Sequence, residues 1–336
     1  MNSELRERRV FVTRPIAQPA LRRLAQVARV ELWDDDFPPA HDELLRRLAR
    51  ADAVLSMVSD RFDAATIAAL PNLAAISNLA VGVDNVDLEA ATRAGIAVGH
   101  TPGVLTETTA DLAFALLMAA ARRVVEGDQF VRAGKWRTWT PKLMLGRDVW
   151  GATLGIIGWG AIGQAVARRA SGFGMRILYV SRKGPDPGPA NLAGAQNVDL
   201  GWLLAESDFI SIHVPLTEVT RHLIGVHELA AVKSTAIIIN TARGPVIDHA
   251  ALTAALQSGR IAGAALDVTE TEPIAMDDPL LKLPNVVITP HIGSASFATR
   301  LRMAELAVDN LLDALAGRIP RCCANPNVKL RSVETS

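Results

Sequence analysis

Short apolar runs alternate along the chain with segments in which apolar residues recur every three or four positions. The runs suit strands and the longer recurrence suits helices, because side chains repeat every two residues on a strand and every 3.6 on a helix. RVFVTRP, from Arg9, reads as a strand, and a helix follows from about Ala17 to Ala28. VELWD, a helix over residues 42–50, ADAVLSM, LAAISNLA and GIAVGH continue the alternation. A second series begins after Gly151. ATLGIIG is a strand apolar enough for burial on both faces, and a helix runs from Ala161 to Phe173. RILYVS, DFISIHV, TAIIINTA, AGAALDV and VVITPH are further strands, with helices around Leu203–Leu204 and Thr253–Gln257 between them. Strands spaced by helices pair in parallel through crossovers, so the expected fold class is α/β. A final helix over residues 296–316 carries Leu301, Ala304, Leu306, Ala307, Leu311 and Leu315 and is expected to return to the first series.

A length of 336 residues fits one large domain or two ordinary ones. Lys+Arg and Asp+Glu balance at 35 each, so the basic excess of a nucleic-acid or membrane-surface binder is missing. ADLAFALLMAAA, residues 110–121, is too short to span a bilayer and carries Asp111, which makes it a buried helix. Cys322 and Cys323 are adjacent, with no CxxC pattern, which points to a reducing compartment. The chain begins with charged residues rather than a signal peptide, and the expected location is cytoplasmic. The histidines show no HExxH-like spacing, so no metal site is expected.

The sharpest motif is Gly158-Trp159-Gly160-Ala161-Ile162-Gly163, a GxGxxG between a strand and a helix. The first glycine permits the tight turn, the second lets main chain approach a pyrophosphate, and the third lets helix and strand pack closely. The helix start then offers free N–H groups and a positive dipole end to the anion. About 20 residues further on, NAD-binding folds usually place a carboxylate that accepts from the ribose 2′-OH. Here Ser181, Arg182 and Lys183 stand instead. A guanidinium and a hydroxyl donate to a 2′-phosphate, so NADP(H) is expected in preference, with NAD(H) the second option.

Three later strands end in polar groups: Arg243 in NTARGPVID, Asp267 and Glu272 in LDVTETEP, and His291 in TPHIGSAS. Open α/β sheets bind ligands at these strand ends. Reduction of a 2-oxo acid needs a cation for the carboxylate and a proton donor for the ketone oxygen. A histidine oriented by a carboxylate suits the second task. Arg243, Glu272 and His291 supply this set. Singly each is an ordinary residue; their joint placement after a dinucleotide fold is what carries the reading.

These segments resemble the D-isomer-specific 2-hydroxyacid dehydrogenases. The likeness extends through LAVGVDNVDLEAATRAGIAV, TPGVLTETTADLAFALLMAAARR, GATLGIIGWGAIGQAVARRASGFGMRILYVSR, SDFISIHVPLTEVTRHLIG, TAIIINTARGPVID, AGAALDVTETEP and LPNVVITPHIGSASFATR, nearly the whole chain. Within the family it is most similar to glyoxylate/hydroxypyruvate reductases. The resemblance implies two doubly wound parallel-sheet domains with a cleft between them. Residues 1–99 and 294–336 would form the substrate domain, and residues 100–293 an inserted dinucleotide-binding Rossmann domain. Arg243 would hold the carboxylate and ketone oxygen, His291 would donate the proton, and Glu272 would pair with His291. Val81 and Gly82 would offer N–H groups to the carboxylate, with Met57 shaping the pocket. Asp267 would take the nicotinamide carboxamide. Thr109, His213, Val214, Pro215, Thr241, Ala242 and Gly293 would line the cofactor site beside the glycine turn and His291. Trp139 resembles the tryptophan that a partner subunit inserts towards the substrate, which implies a homodimer. The cation that phosphoglycerate dehydrogenases carry before the GVDN loop is replaced near Leu79, and Val81 stands where phosphite dehydrogenases have a lysine, so neither activity is expected. Two other readings stay open: a dehydrogenase for bulkier 2-hydroxy acids, and a cofactor-sensing module that binds proteins.

Overall fold

The computed structural model describes residues 5–182, 184, 186, 192 and 194–331. Lys183 lies outside the described residues. The chain divides into two compact units, one from its start to Leu105 together with Ser294 onwards, the other Thr106–Gly293.

The first unit is built on five parallel strands: β1 (Arg9–Val12), β2 (Arg29–Leu32), β3 (Ala53–Ser56), β4 (Ala75–Asn78) and β5 (Ala97–Gly99). Their order is β2-β1-β3-β4-β5. The chain starts in the middle and winds outward both ways, the doubly wound pattern. One face packs Phe11, Val54, Ile76 and Val98 against Leu44, Leu48 and Ile67 from the helices. The helix Phe297–Leu315 returns to this unit, where Ser77 Oγ donates to the Ala307 carbonyl at 2.7 Å. Asn310 Nδ2 donates to the His100 carbonyl at 2.8 Å, and His100 N to Cys322 O at 3.0 Å. Thr101 N donates to Ala80 O at 2.8 Å. These bonds keep the chain on the first unit past residue 99, so the division falls at Leu105 rather than at the end of β5.

The second unit carries seven strands, all parallel: β6 (Thr153–Ile157), β7 (Arg176–Val180), β8 (Gln196–Asn197), β9 (Phe209–Ile212), β10 (Ile237–Asn240), β11 (Gly263–Leu266) and β12 (Val286–Ile288). The order is β12-β11-β10-β9-β6-β7-β8. Ile237 and Ile239 face one core layer and Ile238 the other, which explains the unbroken apolar run of this strand. The apolar helix Thr106–Ala121 is buried through Ala110, Ala113, Phe114 and Leu117 in the first of these layers. Among the described residues no helix is long and apolar enough to cross a membrane.

Candidate active site

In the second unit every strand that carries a candidate residue delivers it at its carboxyl end. Gly158 follows β6, Ser181 follows β7, His213 follows β9, Thr241 follows β10, Asp267 follows β11 and His291 lies three residues past β12. The strand order reverses beside β6, which sends later strands to β7 and β8 on one side and to β9–β12 on the other. That switch point is where open α/β sheets leave a crevice for ligands.

The three glycines of the turn have separate jobs. Gly158 has φ +103°, and a Cβ there would lie 2.5 Å from the His213 carbonyl oxygen. At Gly163 a Cβ would lie 2.1 Å from the Gly158 carbonyl oxygen. Both are needed for the chain to pack. A Cβ at Gly160 would meet nothing within 4 Å, so this glycine keeps open a space that protein does not fill. Gly160 also starts the helix Ala161–Ser171, and no side chain caps it. The first N–H groups of that helix are therefore left for an anion, as the pyrophosphate of a dinucleotide requires. Thr241 Oγ1 adds a buried hydroxyl with no hydrogen-bond partner among the described residues. Burial holds the His213 imidazole down to about 3, so the ring is neutral, with Nε2 2.8 Å from Ser211 Oγ. These features fit a dinucleotide. The Trp159 indole is buried against Tyr179, so Trp159 would meet a cofactor through its main chain. Arg182 is exposed just past β7.

The structure joins Glu272 and His291 directly: His291 Nδ1 lies 2.7 Å from Glu272 Oε2. Glu272 Oε1 accepts from Thr269 N at 3.2 Å, which orients the carboxylate. His291 itself has φ 54°, in the left-handed region that few residues other than glycine enter. Asp267, 1% exposed, holds that conformation. Its Oδ1 accepts from Ile292 N at 2.8 Å and Thr289 Oγ1 at 2.6 Å, and its Oδ2 accepts from Gly293 N at 2.7 Å. Asp267 O also accepts from His291 N at 2.9 Å. A Cβ on Gly293 would sit 3.2 Å from Asp267 Oδ2 and 3.4 Å from Thr109 Cγ2, so Thr109, Asp267 and Gly293 form one cluster. Arg243 begins the short helical turn Gly244–Val246, with Asn240 Nδ2 donating to its carbonyl at 2.9 Å and its Nη1 donating to Ala242 O at 2.9 Å. Gly244 presses on the main chain of Thr269 and Glu270, which sets the Arg243 segment against the one that leads to Glu272.

Met57, Val81 and Gly82 belong to the first unit, at the carboxyl ends of β3 and β4, and a polar network fixes their main chain. Asp60, itself paired with Arg14 at 3.5 Å, accepts from Met57 N at 2.8 Å. Asn85 Nδ2 donates to Met57 O at 3.2 Å and Asp60 O at 2.8 Å. Asn78 Nδ2 donates to Gly82 O at 3.1 Å. His100 Nδ1 lies 2.9 Å from Val81 O. A peptide group is planar and trans, so holding the Val81 carbonyl on one side turns the Gly82 N–H to the other. Asp60, Asn78, Asn85 and His100 escape a reading of motifs, because they act on main chain, and Asn85 and His100 do so on Met57 and Val81, distant in sequence. Trp139 stands 77% exposed.

Residues 114–293 match the D-isomer specific 2-hydroxyacid dehydrogenase, NAD binding domain, which covers the glycine turn, Arg243, Glu272 and His291. The chain belongs to the D-isomer specific 2-hydroxyacid dehydrogenase family. A glyoxylate reductase from Korarchaeum cryptofilum is 53% identical over 321 residues, 95% of this chain and 96% of that protein. A glyoxylate reductase from Thermococcus litoralis is 48% identical over 98% of each. Among solved structures, an NADPH-dependent glyoxylate/hydroxypyruvate reductase from Sinorhizobium meliloti, in complex with NADP and malonate, superimposes with a TM-score of 0.82 at 32% identity, covering 97% of this chain and 99% of that one. The two parallel sheets described above are thus the two α/β domains of a 2-hydroxyacid dehydrogenase, and the seven-stranded unit contains its NAD-binding domain.

Proposed function

We propose that this 2-hydroxyacid dehydrogenase reduces small 2-oxo acids, glyoxylate and hydroxypyruvate, to 2-hydroxy acids with NADPH. The observation that carries the reading is the 2.7 Å contact between His291 and Glu272, past the same carboxyl ends of the strands as an open glycine turn. A dinucleotide held at the glycine turn would supply, from its reduced nicotinamide, the hydride for the oxo carbon. Arg243 pairs with the substrate carboxylate and the 2-oxo oxygen, which gains negative charge as the carbon is reduced. Imidazolium His291 gives that oxygen its Nε2 proton. Glu272 keeps Nδ1–H engaged throughout, which orients the ring and fixes its tautomer. Gly82 N–H, aimed by the bond between His100 and Val81, gives the carboxylate a second donor.

Arg182 and Ser181 support NADPH over NADH, since a cation and a hydroxyl follow β7 where a carboxylate would repel a 2′-phosphate. The names of the glyoxylate reductase relatives support the substrate class. A homodimer in a reducing compartment completes the reading, with exposed Trp136, Trp139, Leu145 and Val124 as surface for a second copy. The test follows NADPH absorbance in His291→Ala with glyoxylate. Loss of the general acid lowers kcat by about 10²–10⁴ with the KM for NADPH unchanged; an intact kcat rejects His291 as the donor.

A further inference from the structure

Trp159 and Tyr179 follow different paths to one point. Trp159 stands between the first two glycines of the turn, and Tyr179, the chain's single tyrosine, stands on β7 two residues before Ser181. Their rings stack with centroids 4.0 Å apart and 14° between planes, and both residues are buried, 6% and 2% exposed. Both polar ends reach one carbonyl. Tyr179 Oη donates to Asp186 O at 2.7 Å, and Trp159 Nε1 donates to the same oxygen at 3.1 Å. Asp186 N donates back to Tyr179 Oη at 2.9 Å. The turn after β7 is thereby fastened, through its main chain, to a rigid aromatic pair whose other end is the glycine turn. A phenylalanine at 179 would fill the core equally well; only the hydroxyl makes the two-way bond to Asp186.

The pyrophosphate and the ribose 2′-phosphate of NADP(H) are held apart by a covalent adenosine of fixed reach. Two protein groups that read them gain fully from both only when their own separation is set before binding. We propose that Trp159 and Tyr179 form a cofactor-specificity device: they tie the turn bearing Ser181 and Arg182 to the pyrophosphate cradle and so preposition the reader of the 2′-phosphate. The two aromatics are positioning residues that act through Arg182 and Ser181, and the inference rests on the reading of those residues as 2′-phosphate ligands.

The test is steady-state kinetics with saturating glyoxylate for Tyr179→Phe, Trp159→Phe, Arg182→Ala and the Tyr179→Phe/Arg182→Ala double variant, each with NADPH and NADH. Loss of the buried hydroxyl's bonds raises the KM for NADPH about 3- to 10-fold and leaves kcat and the KM for NADH within about twofold. Trp159→Phe, which keeps an aromatic ring and loses one bond, moves the NADPH:NADH ratio the same way by less. In the double variant the Tyr179→Phe effect shrinks, because one of the two readers it prepositions is gone. A ratio lowered by Arg182→Ala and untouched by Tyr179→Phe overturns the tie alone. A ratio moved by neither overturns both the tie and the cofactor reading. A ratio moved by Tyr179→Phe alone keeps the tie and removes Arg182 as the reader. Equal losses for NADPH and NADH in Tyr179→Phe reduce the pair to a structural stack and overturn the proposal.

Discussion

At Gly244 a methyl group would lie 1.9 Å from the Thr269 carbonyl oxygen, and both neighbours are main chain that has no room to move away. Gly244→Ala therefore separates the Arg243 segment from the Glu272 segment. It should cost about 3 kcal/mol in urea unfolding and take activity with it; an unchanged midpoint with full activity would show that the close approach is not needed. His213 gives a second residue-scale test. Its folded-state value of about 3 lies below the ordinary 6.5, so the unfolded chain binds the proton first as the solution becomes acidic. Its contribution is whole above 6.5 and is lost as pH falls towards 3, with a slope of at most about 1.4 kcal/mol per pH unit. His213→Asn should flatten the stability profile in that window and leave it unchanged above; an unaltered slope would contradict a neutral, buried ring. Sequence alone singled out Arg243, Glu272 and His291, because unlike charges after apolar strands leave a visible trace. It could not reveal that the Asp267 carboxylate is engaged three times by residues 289–293, twice by main-chain N–H groups, since hydrogen bonding to main chain leaves no pattern in residue type.

Among the elements, the turn after β6 separates packing from binding. Gly158→Ala forces a Cβ against the His213 carbonyl at a left-handed φ, so the variant should unfold at a clearly lower temperature. Gly160→Ala meets no protein atom within 4 Å. It should keep the wild-type Tm to within the few tenths of a kcal/mol typical of a helix start, and raise the KM for NADPH by about tenfold or more, since the methyl enters the space reserved for the pyrophosphate. Equal thermal losses in the two variants would refute this division of labour. Both strand series were legible from periodicity, because strands buried on both faces are unbroken apolar runs. The helices Ala64–Ala68 and Val226–Ala231 were not, since five or six residues are too few to show a period. Strand β8, two residues at the sheet edge, carries no pattern at all. The left-handed turn at His291 was also hidden: VVITPH reads as strand throughout, whereas β12 stops at Ile288 and the chain turns to place the histidine beside Glu272.

For the molecule as a whole, the second unit leaves a groove of about 550 Å³ near the amino ends of β10 and β11, opposite the strand ends that carry the chemistry. Leu145 and Leu281 line it, and both are exposed, as are Trp136 and Trp139. Light scattering should give the mass of a homodimer, and Leu145→Asp should yield monomer; a monomeric wild type at micromolar concentration would remove the partner from the account. The central claim is narrower. One imidazole, steadied by one carboxylate, protonates the oxo oxygen of a 2-oxo acid while Arg243 holds it. The most direct measurement is the pH dependence of kcat/KM for glyoxylate with NADPH in the wild type, His291→Gln and Glu272→Gln. The account predicts a wild-type rate that falls as the imidazole loses its proton, a His291→Gln rate lowered by about 10²–10⁴ with that limb absent, and a Glu272→Gln rate lowered because the ring is no longer held in place. A His291→Gln enzyme that retains both the wild-type rate and the limb would contradict it.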